Sequence, residues 1–132
     1  MKLLADTSAL LALVFEKDEN HRAAAAFVQA NPRARFVSSD LILAEVATRL
    51  RARSSAERAV AIARDILRSR RYEVVFVDAD LLDGALERMA GLADKRLSLT
   101  DCASFALMDN LGLDTAFTFD SDFRECGYAM LP

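Results

Sequence analysis

The fold is decided at residues 2–10, which read KLLADTSAL. The short apolar stretch Lys2–Ala5 predicts a buried strand that begins the domain. The residues Asp6-Thr7-Ser8 follow at once with side chains typical of a helix start, and the apolar run Ala9–Phe15 continues them. A strand that leads directly into a helix is the first unit of an alternating β/α chain.

The rest of the sequence repeats this alternation. Further strands are predicted at 35–37, 73–77, 115–119 and near 128–131, and helices at 20–30, 41–53, 54–71, 81–93 and 98–111, with 120–127 as a loop. The strands are short and apolar and lack the polar alternation of a half-exposed sheet. We therefore expect a three-layer α/β/α sandwich with a short, mostly parallel central sheet. No repeat, low-complexity tract or linker divides the chain, so residues 1–132 are interpreted as one domain.

Composition restricts the class of protein. Hydrophobic residues make up 53% of the 132 residues, which is typical of a globular fold. The longest apolar run, Ala9–Phe15, is about half the length that a bilayer crossing requires, and Asp6 comes too early for a secretory signal. Cys102 and Cys126 lie far apart, which indicates reduced thiols, with Cys102 as a small core residue. We expect a cytoplasmic protein with no membrane association.

Charge is distributed unevenly along the chain. The net charge is −3, yet the segment from Arg49 to Arg71 contains eight arginines and only two acidic residues. This segment carries a local charge of about +6, and it suits the binding of an anionic polymer. Two solvated helices would produce the same pattern, and the sequence leaves both interpretations open.

Acidic side chains follow the predicted strands. Asp6 comes after the first strand, Asp120 and Asp122 come after the fourth, and Asp101 lies in the first turn of a helix. Each of them alone is also an ordinary helix cap or loop residue. Because the carboxyl ends of parallel strands gather at one edge, these acids are expected to converge. Converging carboxylates repel one another unless a hard divalent cation such as Mg²⁺ or Mn²⁺ lies between them.

Glu45 adds a carboxylate inside a helix. Its neighbours one turn earlier, Leu41 and Ile42, are apolar, so its charge needs a cation or a hydrogen-bond donor. Arg49, four residues further on, offers an ordinary ion pair on the helix surface as the alternative explanation.

The sequence lacks the residues that several other kinds of catalytic or phosphate-binding site require. His21 is the only histidine, expected at the surface of a polar helix, which excludes a multi-histidine zinc site and disfavours histidine-based hydrolysis. No glycine-rich phosphate loop is present. A phospho-acceptor receiver needs paired acids after the first strand and a late lysine, whereas the last lysine is Lys95. A haloacid-type phosphatase needs Asp-x-Asp, whereas Ser8 occupies the third position. A carboxylate–metal hydrolase remains, with a protein-interaction module as the non-catalytic alternative.

Four segments of the chain resemble the PIN-domain family, in particular the small VapC-type toxins of prokaryotic toxin–antitoxin pairs. They read LLADTSAL at 3–10, LAEV at 43–46, LSLTDCA at 97–103 and TFDSDF at 118–123. The resemblance covers nearly the whole chain. It implies four catalytic and metal-binding acids, which are Asp6, Glu45, Asp101 and Asp120, with Asp122 as a replacement or helper for Asp120.

The resemblance also implies the function and the partners. It predicts an endoribonuclease dependent on Mg²⁺, with Mn²⁺ as the alternative ion, in which Ser8 orients Asp6 or a water molecule and Thr100 supports the site. It further predicts a homodimer and a cognate antitoxin whose C-terminal segment lies along the toxin. The apolar helices at 9–15, 22–30 and 41–50 are candidates for either contact, although core packing explains most of their residues. An RNA-processing nuclease without an antitoxin is the alternative.

Overall fold

The structure, a computed structural model, describes residues 1–132 as five strands and seven helices. The strands are β1 (Lys2–Ala5), β2 (Arg35–Ser39), β3 (Tyr72–Val75), β4 (Thr115–Phe117) and β5 (Ala129–Leu131). The helices are α1 (Thr7–Val14), α2 (His21–Ala30), α3 (Asp40–Arg53), α4 (Ala56–Arg68), α5 (Ala79–Gly91), α6 (Leu99–Leu111) and α7 (Asp122–Glu125).

The strands form one sheet in the order β3-β2-β1-β4-β5, and every neighbouring pair is parallel. The chain builds outward from β1 to β3 and then returns to β4 on the other side of β1. Because β-strand crossovers are right-handed, α1 to α4 cover one face of the sheet and α5 to α7 cover the other. The predicted three-layer α/β/α sandwich is confirmed, and the strand order reverses between β1 and β4.

Apolar side chains of the central strands form the core. Leu4 and Val37 have no exposed surface, and Phe36 of β2 packs against Phe117 of β4 with ring centroids 5.5 Å apart. Phe27 of α2 contacts the same ring of Phe117 at 5.0 Å. Burial on both faces explains why these strands lack polar alternation in the sequence.

Polar side chains and a glycine cap the helix ends. The Ser39 hydroxyl accepts a hydrogen bond from the backbone N–H of Ile42, and the Asp78 carboxylate accepts one from Leu81. Helix α6 ends at Gly112, whose φ of 66° lies in the left-handed region that glycine adopts without strain.

Several element boundaries differ from the sequence prediction, because side chains take over backbone hydrogen bonds. Strand β3 ends at Val75 rather than at residue 77, since the Val77 N–H donates to the Asp40 carboxylate at 2.9 Å. Strand β4 ends at Phe117 rather than at residue 119, since the Phe119 N–H donates to the Ser8 hydroxyl at 3.0 Å. Such replacements depend on tertiary contacts that periodicity does not reveal.

The prediction of a loop at 120–127 was wrong, because helix α7 lies within it. The backbone N–H of Asp122 donates to Asp120 Oδ1 at 2.9 Å, which starts the turn, and the fully buried Phe123 anchors it to the core. One helical turn is too short to give a periodic signal in the sequence.

Cys102 is buried and Cys126 is half-buried, and both are free thiols. His21 was expected at the surface but is half-buried, with its Nδ1 atom 2.7 Å from the Ala12 carbonyl oxygen. No helix has the length and apolar character to span a bilayer.

Candidate active site

A polar cleft of about 270 Å³ opens at the carboxyl ends of β1 and β4, where the strand order reverses. Ligand sites of open parallel sheets form at such a reversal, because the flanking loops diverge to opposite faces. No apolar residue lines the cleft. The lining residues are Asp6, Thr7, Ser8, Glu45, Arg49, Arg96, Ser98, Asp101, Asp120 and Asp122. All five acids singled out in the sequence are therefore brought together, and so is Ser8.

Asp6 is the most buried of these acids, with 4% of its surface exposed. Its Oδ2 atom accepts hydrogen bonds from the Ser8 hydroxyl at 2.9 Å and from the Thr118 hydroxyl at 3.0 Å. Burial nevertheless outweighs these bonds and raises the pKa of Asp6 above its ordinary value. A charged Asp6 is thus costly unless a cation compensates it.

Three other acids form a cluster. Asp101, Asp120 and Asp122 each place a carboxylate oxygen so that the three atoms lie within 4.8 Å of one another. Burial raises the pKa of Asp101, and the charges of Asp6 and Asp120 add to this effect against the hydrogen bonds from Ser98. Partial burial and the neighbouring carboxylates of Asp120 and Glu125 also raise the pKa of Asp122. The chain itself supplies no nearby cation that neutralises this cluster through an ion pair.

Glu45 reaches the cleft from α3, in the opposite helical layer from Asp101. It is half-buried, and its Oε1 atom accepts a hydrogen bond from the Thr7 hydroxyl at 3.0 Å. Arg49, the alternative partner predicted from the helix spacing, forms no ion pair with Glu45. The hydrogen-bond donor to the Glu45 carboxylate is therefore Thr7, which the sequence interpretation missed.

The Thr118 hydroxyl connects the two strand ends of the site. It donates to Asp6 Oδ2 after β1, and it accepts a hydrogen bond from the backbone N–H of Asp120 after β4 at 3.0 Å. Thr118 is 1% exposed, so water cannot replace either bond. The sequence offered one signal for this role, which is a lone polar residue at the end of an apolar strand.

Thr100 does not lie in the acidic cleft. It lines a neighbouring depression together with Leu41, Ala44, Thr48 and the two cleft residues Glu45 and Arg49. The Thr100 carbonyl accepts a hydrogen bond from the Ser104 hydroxyl within α6. The supporting role proposed for Thr100 is thus limited to the edge of the site.

Thr118→Val is expected to lower the free energy of unfolding by about 1–3 kcal/mol. The variant keeps the shape of the side chain but leaves the half-buried Asp120 N–H without its acceptor and removes one donor from Asp6 Oδ2, which then keeps only the bonds from Ser8. Urea unfolding followed by circular dichroism measures the change. Thr115→Val is the matched control, because the Thr115 hydroxyl bonds only the exposed Asp114 carboxylate and its loss should cost less than about 0.5 kcal/mol. Equal losses in the two variants would contradict the role of Thr118.

Comparison with known proteins connects this geometry to a family. The family model described as "PIN domain" matches residues 3–127. The chain is 32% identical over 126 residues to a protein of Mycobacterium tuberculosis named "23S rRNA-specific endonuclease VapC20". The match covers 96% of this chain and 95% of that protein.

Solved structures share the fold. The crystal structure of Mycobacterium tuberculosis VapC20, described as a sarcin-ricin loop cleaving toxin, superposes with a TM-score of 0.88 at 31% identity and 96% coverage of both chains. The DNA-bound VapBC of Salmonella typhimurium gives a TM-score of 0.71 at 21% identity, covering 98% of this chain and 96% of that chain. At the lower identity, the likeness concerns the fold alone.

Proposed function

This chain belongs to the PIN-domain family, and from that premise we propose that its acidic cleft hydrolyses RNA phosphodiester bonds with a divalent cation. The family and the endonuclease relative make the chain a ribonuclease of the toxin type. The observation that carries the assignment of the site is the meeting of Asp6, Glu45, Asp101 and Asp120 in one cleft without apolar lining. The toxin relative VapC20 favours this proposal over the alternative without an antitoxin.

The donor set suits Mg²⁺, with Mn²⁺ as the alternative ion. Every candidate ligand is a carboxylate oxygen, and hard cations prefer such ligands. In Asp6, the hydrogen bonds from Ser8 and Thr118 are accepted by Oδ2, so Oδ1 is the oxygen we assign to the cation. Asp101 and Asp120, with Asp122 beside them, supply the remaining carboxylates. The raised pKa values of Asp6, Asp101 and Asp122 support this assignment, because a bound cation would offset the burial that raises all three pKa values and the repulsion that adds to those of Asp101 and Asp122.

The chain's own residues have separate tasks in the reaction. A divalent cation, when bound, supplies Lewis acidity and neutralises charge on the phosphate. Asp6 is held in one orientation by Ser8 and Thr118, so it is ready for that ion without rearrangement. We assign Glu45 as the acceptor of the proton from the attacking water, because it lies outside the three-acid cluster and bonds only Thr7. Water then attacks phosphorus, the bond to the leaving oxygen breaks, and that oxygen takes a proton from solvent.

The names of the relatives indicate which RNA should be tested first as a substrate. Because VapC20 is named as a 23S rRNA-specific endonuclease and as a sarcin-ricin loop cleaving toxin, we propose the same loop as the first RNA to test here. The experiment incubates the purified chain with a sarcin–ricin hairpin and with a pool of unrelated RNA, in Mg²⁺, in Mn²⁺ and in EDTA. Cleavage in either metal that EDTA abolishes supports the proposal. Cleavage that persists in EDTA would overturn the metal-dependent mechanism.

Asp120→Asn is expected to slow cleavage by roughly a hundredfold or more, and Asp122→Asn by roughly tenfold. The Asp120 backbone is tied to Thr118 and so to Asp6, whereas Asp122 contacts Asp120 Oδ1 only through its backbone N–H. Cleavage rates across a Mg²⁺ titration measure both effects, since loss of a ligand raises the Mg²⁺ requirement. The reverse ranking would make Asp122 the fourth acid.

An antitoxin is the protein partner that we propose. Of the three segments predicted for this contact, 9–15 contributes mainly to the core, and 22–30 is fully buried only at Ala24. Segment 41–50 contributes to a surface groove between α3 and α4. The groove is lined by Ala47, Thr48, Arg51, Ala52, Ala56, Ala59, Val60 and Ala63, with the exposed Arg64 on the next turn of α4. An apolar segment that carries acidic residues would complement both the alanines and the arginines of this groove.

Val60→Glu is expected to weaken antitoxin binding at least tenfold and to leave RNA cleavage unchanged. Val60 is 47% exposed in the groove, so the glutamate is tolerated in the free chain but is desolvated and repelled by an acidic partner. Co-purification and titration with a candidate antitoxin protein measure the effect. Leu86→Glu on the other layer, where Leu86 is 48% exposed, is the control. Unchanged affinity for Val60→Glu would move the antitoxin to another surface.

We propose that the chain forms a homodimer and acts in the cytoplasm. The resemblance to VapC-type toxins supports a homodimer, and analytical ultracentrifugation of the purified chain decides between one and two copies. A sedimentation coefficient that stays monomeric at all concentrations would contradict the dimer. We place the activity in the cytoplasm, where ribosomal RNA is accessible.

A further inference from the structure

Two arginines line the acidic cleft without neutralising it. Arg49 lies on α3 and Arg96 lies in the segment between α5 and α6, and both are exposed. Neither forms an ion pair with any carboxylate. The ion pairs of the chain, Lys2–Glu73, Arg88–Asp109 and Lys95–Glu125, all lie outside the cleft. The guanidinium groups of Arg49 and Arg96 therefore remain available to another anion.

The topology places these arginines on opposite sides of the acids. Helix α3 belongs to the layer that covers one face of the sheet, and the segment before α6 belongs to the layer that covers the other. The cleft opens between those layers. An extended anionic chain that crosses the carboxylates would meet Arg49 on one side and Arg96 on the other.

Arg49 also lies at the junction of two surfaces. It lines both the acidic cleft and the adjoining depression formed with Leu41, Thr48 and Thr100. That depression offers apolar and hydroxyl contacts beside the carboxylates, and these contacts suit a nucleotide. Arg49 is thus shared by the acidic cleft and the depression that adjoins it.

We propose that Arg49 and Arg96 bind the RNA phosphates on the two sides of the phosphate that is cleaved. This inference rests on the proposed ribonuclease function and adds to it the residues that hold the substrate. A guanidinium group donates two parallel hydrogen bonds to a phosphate, which fixes the direction of the backbone as well as its position. Such contacts add to the effect of a bound cation in offsetting the repulsion between the carboxylates and the RNA backbone.

Binding of RNA as a function of salt concentration tests the inference. The probe is a fluorescent sarcin–ricin hairpin, and binding is measured in Mg²⁺ with the Asp6→Asn chain, which should not cut it. Each phosphate contact contributes about 0.7 to 0.9 to the slope of log K against log salt concentration. Arg49→Ala and Arg96→Ala should each reduce the slope by about that amount, and the double variant by about twice as much. Arg49→Lys should retain the slope and lose part of the affinity, because one charge remains without the paired hydrogen bonds.

Arg35→Ala is the matched control. Arg35 is exposed at the start of β2, at the opposite edge of the sheet from the cleft, and its removal should leave the slope unchanged. Thermal melting of each variant checks folding, and an exposed arginine should change stability by less than about 0.5 kcal/mol. Unchanged slopes for Arg49→Ala and Arg96→Ala, with RNA still bound, would overturn this inference alone. Failure of the chain to bind or cut any RNA would overturn it together with the proposed function.

Discussion

Asp6→Asn is expected to reduce the rate of RNA cleavage by roughly a thousandfold or more while the chain remains folded. The substitution keeps the shape and the hydrogen-bond acceptor of the side chain but removes the charge that we assign to the cation. Loss of a metal ligand removes several kcal/mol of transition-state stabilisation, and each 1.4 kcal/mol corresponds to about tenfold in rate. Initial rates on the sarcin–ricin hairpin at saturating Mg²⁺ measure the effect.

The control for this experiment is an acid outside the cleft. Asp83→Asn on α5 removes the same charge from an exposed position, and it should cleave at the rate of the unsubstituted chain. Circular dichroism and thermal melting establish that both variants are folded. Full activity of Asp6→Asn would show that the acidic cleft is not the catalytic site, whatever the family of the chain.

In EDTA, the contribution of Asp6 and Asp101 to the stability of the chain is expected to fall as pH rises, and Mg²⁺ is expected to restore that stability. Burial raises the pKa values of Asp6 and Asp101 in the folded state. At pH values between the unfolded and the folded pKa, the folded state therefore binds more protons than the unfolded state. Their contribution to stability is therefore greatest below the unfolded pKa and is lost as pH rises through the folded pKa. At neutral pH, Mg²⁺ at about one hundred times its dissociation constant should add about 2.7 kcal/mol, or on the order of 10 °C in melting temperature.

Urea unfolding across a pH series, with and without Mg²⁺, measures both effects. The Asp6→Asn variant isolates the part due to Asp6, since it carries no charge to titrate. In EDTA the two proteins should be equally stable at low pH, and the variant should become the more stable one as pH rises. Addition of Mg²⁺ should reverse that order at neutral pH. A melting temperature of the unsubstituted chain that does not respond to Mg²⁺ would contradict the assigned metal site.

Much of the fold and the acidic residues could be predicted, because both depend on local patterns. Short apolar runs that alternate with capped helices predict a parallel sheet, and a parallel sheet gathers its strand ends at one edge. Asp6 and Asp120 follow from that rule alone. Glu45 stood out because an acid on an apolar helix stripe needs a partner, although the partner proved to be Thr7 rather than Arg49.

The residues that escaped prediction act across long sequence distances. The Thr118 hydroxyl bonds Asp6, which lies 112 positions earlier, and no periodicity reports such a contact. Arg96 stood in a segment without pattern, and it became informative only when the structure placed it in the cleft without a partner. Asp101 has both a structural and a site position, because it completes the capping box of α6 and is also one of the three clustered acids. A structural explanation for an aspartate therefore does not argue against a chemical one.

The pairing of β1 with β4 also determines when the acidic cleft can form while the chain is being synthesised. Leu4 pairs with Ala116, and Asp6 meets Thr118, which follows β4, so the two halves of the cleft come from segments 112 positions apart. A ribosome that has released only the first hundred residues carries a chain with Asp6 and Glu45 but without Asp120. On our assignment of Asp120 to the site, such a nascent chain cannot yet cut RNA, because contacts between distant segments form only after both have emerged. Cleavage by a newly made chain is therefore expected only after the segment that follows β4 has left the ribosome.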